Sequence, residues 1–149
     1  MNVRPAIAGD LPAVQRRQCE WAQAQITHGY RPASRAALRR ALGEFFWVAE
    51  YRGRIVGFTY GSRRVSKGLA VVPKGRAYLD IEDLYVTARW RNRGVGRALL
   101  DAITAQARAR HIRYVTVYSA TKDVRRLLRF YERAGFTSWF VQLCRRLGK

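Results

Sequence analysis

The chain has 149 residues, of which 48% are hydrophobic and 26% charged. That is the length of one domain with enough apolar material for a packed core, which excludes wholesale disorder and leaves no room for a second full domain. Lysine and arginine number 29 against 10 acidic residues, a formal charge of +19 and a pI near 11.3, and a field of that sign attracts polyanions such as nucleic acid, an anionic membrane or a phosphorylated cofactor. Most of the excess is arginine. An arginine-rich composition accounts for the total as readily as a binding role, so the clustering of the charges is more informative than their sum.

No apolar run approaches the roughly 18 residues of a membrane-spanning helix, and MNVRPAIAGD lacks the apolar stretch of a secretory signal. Cys19 and Cys144 make a weak disulfide framework, and two histidines argue against a metal site. The expectation is a metal-free protein with unpaired cysteines in a reducing cytoplasm.

No repeat or Pro/Gly/Ser linker divides the sequence, so residues 1–149 read as a single domain. Residues 2–7 suit a first strand. Gly9-Asp10 offers an N-cap to a helix carrying Pro12, Val14, Gln18 and Trp21. His28-Gly29-Tyr30-Arg31-Pro32 breaks that helix, and Ser34 caps a second, short one through Leu38 and Leu42. Residues 45–49 and 55–60 form a hairpin about Tyr51-Arg52-Gly53-Arg54. The basic segment 61–76 is either a strand extension with a loop or a mobile insertion. Residues 77–86 are a strand, 94–110 a helix, and 114–118 a strand. Asp123 caps a helix bearing Val124, Leu127, Leu128 and Tyr131 that stops at Gly135, and residues 136–144 close with strand character. The class is mixed α/β (α+β), with antiparallel strands first and a strand–helix–strand–helix–strand unit after them.

The informative stretch is the strand Ile81-Glu82-Asp83-Leu84-Tyr85-Val86, which runs into Arg91-Asn92-Arg93-Gly94-Val95-Gly96-Arg97-Ala98 at the start of a long helix. The first N–H groups of a helix have no partners within it and bind anions. Glycines at 94 and 96 let a phosphate approach the backbone, and Arg91, Arg93 and Arg97 add charge around it. The stretch reads as a diphosphate cradle. A dinucleotide fingerprint fails because position 99 is Leu, and no nucleotide P-loop is present.

Arg-x-x-Gly-x-Gly at 91–96 resembles the acetyl-coenzyme A signature of the GNAT superfamily of N-acetyltransferases. Arg129-Phe130-Tyr131-Glu132-Arg133-Ala134-Gly135-Phe136 resembles that family's Leu-Tyr-Glu-Lys-x-Gly-Phe segment, one helix and one strand further on. The resemblance implies a mostly antiparallel central sheet of six to seven strands flanked by about four helices. It also implies a splay between the strands before and after the glycine-loop helix. Backbone groups of Leu84, Tyr85 and Val86 are then expected along the pantetheine arm of acetyl-CoA, with the Val86 amide polarising the thioester carbonyl. Arg91, Asn92, Arg93, Gly94, Val95, Gly96, Arg97 and Ala98 are expected at the diphosphate. Tyr131 matches the position where the family often keeps an acid for the departing thiolate. Val124 stands where the family often has an Asn that contacts the arm, and Arg126 and Arg129 either meet the cofactor's phosphates or belong to a solvated face.

Asp80, Glu82 and Asp83 make a local negative spot in a basic protein, suited to a cationic amine and its proton. Glu-Asp-Leu-Tyr-Val is similar to the string in polyamine and aminoglycoside acetyltransferases, which ranks Glu82 first as base, Asp83 second and Asp80 third. Strand alternation separates Asp80 and Glu82 from Asp83 unless a bulge intervenes. Trp21, Tyr30, Phe45, Phe46 and Trp47 are candidates for an acceptor pocket or for the core, and His28 is a second candidate base.

The leading expectation is therefore acetyl transfer from acetyl-CoA to a small cationic amine. A protein N-terminus or lysine is the alternative acceptor. A basic nucleic-acid-binding module is the alternative of another class, supported only by separated patches at Arg35/Arg39/Arg40, Arg63/Arg64/Lys67 and Arg145/Arg146/Lys149. A CoA-binding protein without catalysis is a further reading. Homodimers are frequent among resembling proteins, and Trp139-Phe140-Val141 is either such a surface or an interior strand.

Overall fold

Runs of aromatic and β-branched residues bounded by turn-formers become strands. In a computed structural model that describes residues 1–148, these are β1 (Asn2–Pro5), β2 (Phe46–Tyr51), β3 (Arg54–Val65), β4 (Ala77–Val86) and β5 (Tyr114–Val117). They form one sheet in the order β1-β2-β3-β4-β5, antiparallel at every join except the parallel β4–β5 pair. Helices α1 (Leu11–Gln23) and α2 (Arg35–Ala41) cover one face, where Leu11, Val14 and Leu38 pack on Phe46, Val48, Phe58 and Tyr85. Helices α3 (Val95–Ala109) and α4 (Val124–Glu132) cover the other. There Leu100, Ile103 and Tyr131 meet Leu79 and Ile81, while Val95 and Leu99 meet Ala49, Val56 and Val86.

Several local signals act as expected. Ser34 Oγ accepts from the Ala37 N–H (3.1 Å) and Asp123 Oδ1 from the Arg126 N–H (3.1 Å), which caps α2 and α4. The basic segment is a strand extension followed by a built loop, for β3 runs on to Val65. The buried Ser66 hydroxyl then donates to Val72 O (2.7 Å) and accepts from the amides of Gly68 and Leu69.

Two expectations need correction. Asp10 does not cap α1. Its carboxylate turns back to accept from the Ile7 N–H (2.9 Å) and from Arg4 (2.7 Å), and Arg4 also reaches Glu50 (2.7 Å). The guanidinium holds the Asp10 pKa below its ordinary value, so a pair that ties β1 to β2 outweighs the cap. The sheet has five strands, not six to seven, because residues 136–144 form none. β-Propensity favours a pleated, half-buried surface, and most of this segment is exposed and makes no ladder with β5, although its first residues line a groove beside that strand. Lys149, in the C-terminal basic patch, lies outside the described residues.

Candidate active site

β4 and β5 pair from Tyr78↔Tyr114 to Ile81↔Val117 and then part, while β4 continues alone on that side to Val86. On its other side β4 stays paired with β3 as far as Gly57↔Val86. The Thr87 N–H donates to Val56 O (3.0 Å). Antiparallel alternation therefore turns the main chain of Tyr85 towards β3 and those of Leu84 and Val86 into the gap that β5 has left. Arg91 Nε reports the same direction by donating to Val86 O (2.9 Å). Tyr85, expected as a main-chain contact, contributes its side chain instead. Its hydroxyl donates to Glu20 (3.0 Å), its ring stacks on Trp21 (5.2 Å between centroids), and burial pushes its pKa up to about 12.

The gap opens into a cleft of about 700 Å³. The glycine loop forms one wall. Gly94 takes the left-handed conformation (φ 79°) at the N-cap of α3, and a side chain there would meet no atom within 4 Å. The Ala98 N–H closes the first turn on Gly94 O (2.9 Å). The amides left without an intrahelical acceptor are thus those of Val95, Gly96 and Arg97. Around them stand Arg91, Arg97, Arg126, Arg129 and Arg133. Asn92 is held by Arg126, whose Nη2 donates to its side-chain oxygen (3.0 Å). Arg93 lies over the Trp90 ring (5.6 Å) and, like Ala98, is not part of the cleft wall. An open helix N-terminus ringed by guanidinium groups fits a diphosphate.

The far end of the cleft is roofed by two segments distant in sequence. His28 N–H donates to Ala120 O (2.8 Å) and Lys122 N–H to Ile26 O (2.9 Å), which stitches the α1–α2 loop to the β5–α4 loop. Trp21, whose indole N–H donates to Thr27 (2.9 Å), lies beneath this roof and stacks on Tyr30 (4.0 Å).

The three acids of β4 occupy three environments because a bulge intervenes at Glu82. Tyr60 faces Asp83 and Gly61 faces Ile81, so Glu82 has no partner on β3. Gly61 makes this register feasible, since a Cβ there would lie 2.5 Å from Asp80 O. The extra residue resets the pleat. Leu79 and Ile81 before it and Leu84 and Val86 after it all face α3 and α4, whereas Asp80 and Asp83 face the opposite side. Asp80 is bonded to Thr116 (2.8 Å) and Arg64 (3.1 Å). Asp83 is wrapped by Gln18 (2.9 Å) and Tyr30 (3.0 Å), and burial raises its pKa although those bonds oppose the rise. Glu82, bonded by the Ser62 hydroxyl, is the one of the three that lines the cleft.

Tyr131 also lines the cleft. Its ring packs edge-on against Phe130 (5.0 Å) and Phe136 (5.3 Å), and burial raises the phenol pKa above its ordinary value. Core packing and access to the cleft thus coexist in one side chain. Two residues without a role foreseeable from the sequence join the site: Gln18, which holds Asp83, and Arg133, which joins the cleft wall. A buried Gln at helical spacing carries no local sign of its partner, whereas Arg133 lies inside the segment already singled out.

A model of the acetyltransferase (GNAT) family matches residues 12–136. The chain belongs to that family of enzymes, whose cosubstrate is acetyl-CoA. Among solved structures, it is similar to a tetramutant of the BH1408 protein from Bacillus halodurans (21% identity, TM-score 0.78, covering 99% of this chain and 100% of that one). It is also similar to an aminoglycoside acetyltransferase from an uncultured soil metagenomic sample, in complex with trehalose (20%, 0.71, 99% and 96%). A third is a predicted acetyltransferase from Clostridium acetobutylicum with acetyl-CoA (18%, 0.71, 96% and 95%). At these identities the likeness is one of fold. No curated protein matches the sequence.

Proposed function

We infer that the protein transfers acetyl from acetyl-CoA to a primary amine of a small cationic acceptor of polyamine or aminoglycoside type. The observation that carries this reading is one cleft lined by the unpaired end of β4, the open N-terminus of α3, Glu82 and Tyr131. The Clostridium relative was solved with acetyl-CoA, and the soil relative is an aminoglycoside acetyltransferase, which supports both halves of the reading.

Bound acetyl-CoA supplies an activated acetyl thioester. The amides of Val95, Gly96 and Arg97, with the Arg91 and Arg97 side chains and Asn92 held by Arg126, bind the diphosphate. Main-chain groups of Leu84 hold the pantetheine arm. The Val86 N–H donates to the thioester carbonyl oxygen, where negative charge develops. Glu82 attracts the ammonium group and takes the proton that makes the amine nucleophilic. As the C–N bond forms and the C–S bond breaks, the Tyr131 hydroxyl gives its proton to the departing sulfur. One proton leaves nitrogen and one reaches sulfur, so the exchange balances. Asp83, turned to the opposite face of the sheet and bonded by Gln18 and Tyr30, ranks second as base, and Asp80, already bonded to Arg64 and Thr116, ranks third.

A peptide amine is the second reading, because it is cationic as well and Glu82 does not discriminate against it. A free-thiol assay with a polyamine, an aminoglycoside and a peptide with a free N-terminus separates the two. Turnover with the small amines is expected, and turnover with the peptide alone would overturn the small-amine reading.

A further inference from the structure

The bulge that releases Glu82 from the β3 ladder brings the β3 extension alongside its carboxylate. Ser62 pairs with Asp80 and Arg64 with Tyr78. Directly paired residues of antiparallel strands point to one face, as do residues two apart, so Ser62, Arg64 and Asp80 share a face. There the Ser62 hydroxyl donates to Glu82 Oε1, and Arg64 Nη2 lies 4.0 Å from the same oxygen. Arg64 is seated in turn by Asp80, whose Oδ2 is 3.1 Å from its Nε, while Asp80 Oδ1 accepts from the Thr116 hydroxyl (2.8 Å). One polar chain therefore crosses three strands, from Thr116 on β5 through Asp80, Arg64 and Glu82 to Ser62 on β3.

The two oxygens of Glu82 are left unequal. Both contacts fall on Oε1, and Oε2 accepts from no group among the described residues. Ser62 and Arg64 are not part of the cleft wall that Glu82 lines, so they reach the carboxylate from behind rather than through the cleft. The Glu82 side chain is 37% exposed, and a carboxylate that open samples several rotamers unless a partner holds it. Arg64, one of the basic residues that the sequence offers to a polyanion, is thereby committed to two carboxylates.

We propose that Ser62 and Arg64 are positioning residues for the base. They hold Oε1 so that Oε2 faces the cleft and takes the proton of the acceptor ammonium. The N–H bond breaks, an O–H bond forms, and the electron pair stays on nitrogen. Asp80 contributes by seating Arg64. The assignment rests on the reading of Glu82 as base, and adds which of its atoms reacts and what aims it. The hydroxyl at Ser62 is the main element, because an exposed ion pair at 4.0 Å contributes little.

The test uses the full chain in the free-thiol assay, with whichever of spermidine, kanamycin or a peptide with a free N-terminus turns over. Ser62→Ala is expected to lower kcat/KM for the acceptor on the order of 10-fold, with the KM for acetyl-CoA and the thermal midpoint unchanged. Ser62→Thr keeps the donor and restores the rate, and Arg64→Met costs about 3-fold. In a Glu82→Gln background Ser62→Ala should add no further loss, since the two side chains act as a unit. A readout without substrate uses protein with isotope-labelled glutamate carboxyls, in which Glu82 is assigned by its absence in Glu82→Gln. Its carboxyl resonance is expected to move in Ser62→Ala and to return in Ser62→Thr. An inert Glu82→Gln would overturn the base and this assignment together. A damaging Glu82→Gln with a silent or fully additive Ser62→Ala would overturn this assignment alone.

Discussion

β4 meets β3 along its whole length, from Val65↔Ala77 to Gly57↔Val86, but meets β5 only as far as Ile81↔Val117. The first edge is closed by hydrogen bonds and side-chain packing. The second edge leaves the main chain of Leu84 and the Val86 N–H without a strand partner beside a helix N-terminus, and Val86 O takes a side chain, Arg91, in place of a strand. Unpaired backbone in a protein interior is costly unless something binds it, so the contrast marks where a ligand belongs. The same strand separates two adjacent carboxylates as sharply. The bulge leaves Glu82 in the cleft and turns Asp83 towards Gln18 and Tyr30.

Breaking the closed edge carries the largest expected effect. Gly61→Val puts a Cβ 2.5 Å from Asp80 O and 3.1 Å from Ile81 Cα. The bulge cannot persist, and stability should fall by about 3 kcal/mol, or roughly 10 °C in Tm. Thermal and urea unfolding measure this, and a variant as stable as the parent would show that the register does not depend on the close approach. On the open edge, Tyr131→Phe keeps the ring packing and removes the proton. We expect kcat to fall on the order of 100-fold with the KM for acetyl-CoA little changed. Equal loss of cofactor binding would instead make the tyrosine structural.

The two carboxylates sharpen the comparison further. Glu82→Gln should lower kcat/KM by on the order of 10–100-fold and shift the pH–rate profile, whereas an unchanged profile would move the base to Asp83 or to water. Asp83→Asn should act on stability rather than rate. Burial raises the Asp83 pKa in the folded state, so the folded form holds that proton more tightly than the unfolded one. This group's contribution is therefore most favourable below the unfolded value of about 3.9 and declines as pH rises towards the folded value. Urea midpoints between pH 4 and 8 should decline less in the Asn variant. An identical slope in both proteins would assign the pH dependence to other groups.

Much of this arrangement was legible because its signals are local. Strand, glycine loop and helix lie in one continuous stretch, Ser34 and Asp123 cap the helices that follow them, and the Tyr131 segment ends its helix at a glycine. The features that were not legible depend on partners far along the chain. The bulge at Glu82 exists because Gly61 permits it, and alternation alone could name the exception but not locate it. Asp10 looked like a cap and serves Arg4 and Glu50 instead. Residues 136–144 have strand propensity but pair with no strand, and propensity does not report whether a neighbour's edge is met in register.

The central claim is that the open end of β4 and the N-terminus of α3 form one acetyl-CoA site. Calorimetric titration with acetyl-CoA, with ATP and NAD as controls at matched ionic strength, tests it most directly. Selective saturable binding of acetyl-CoA is the predicted result. Equal binding of all three anions, or none, would reduce the glycine loop to a basic helix start and contradict the account.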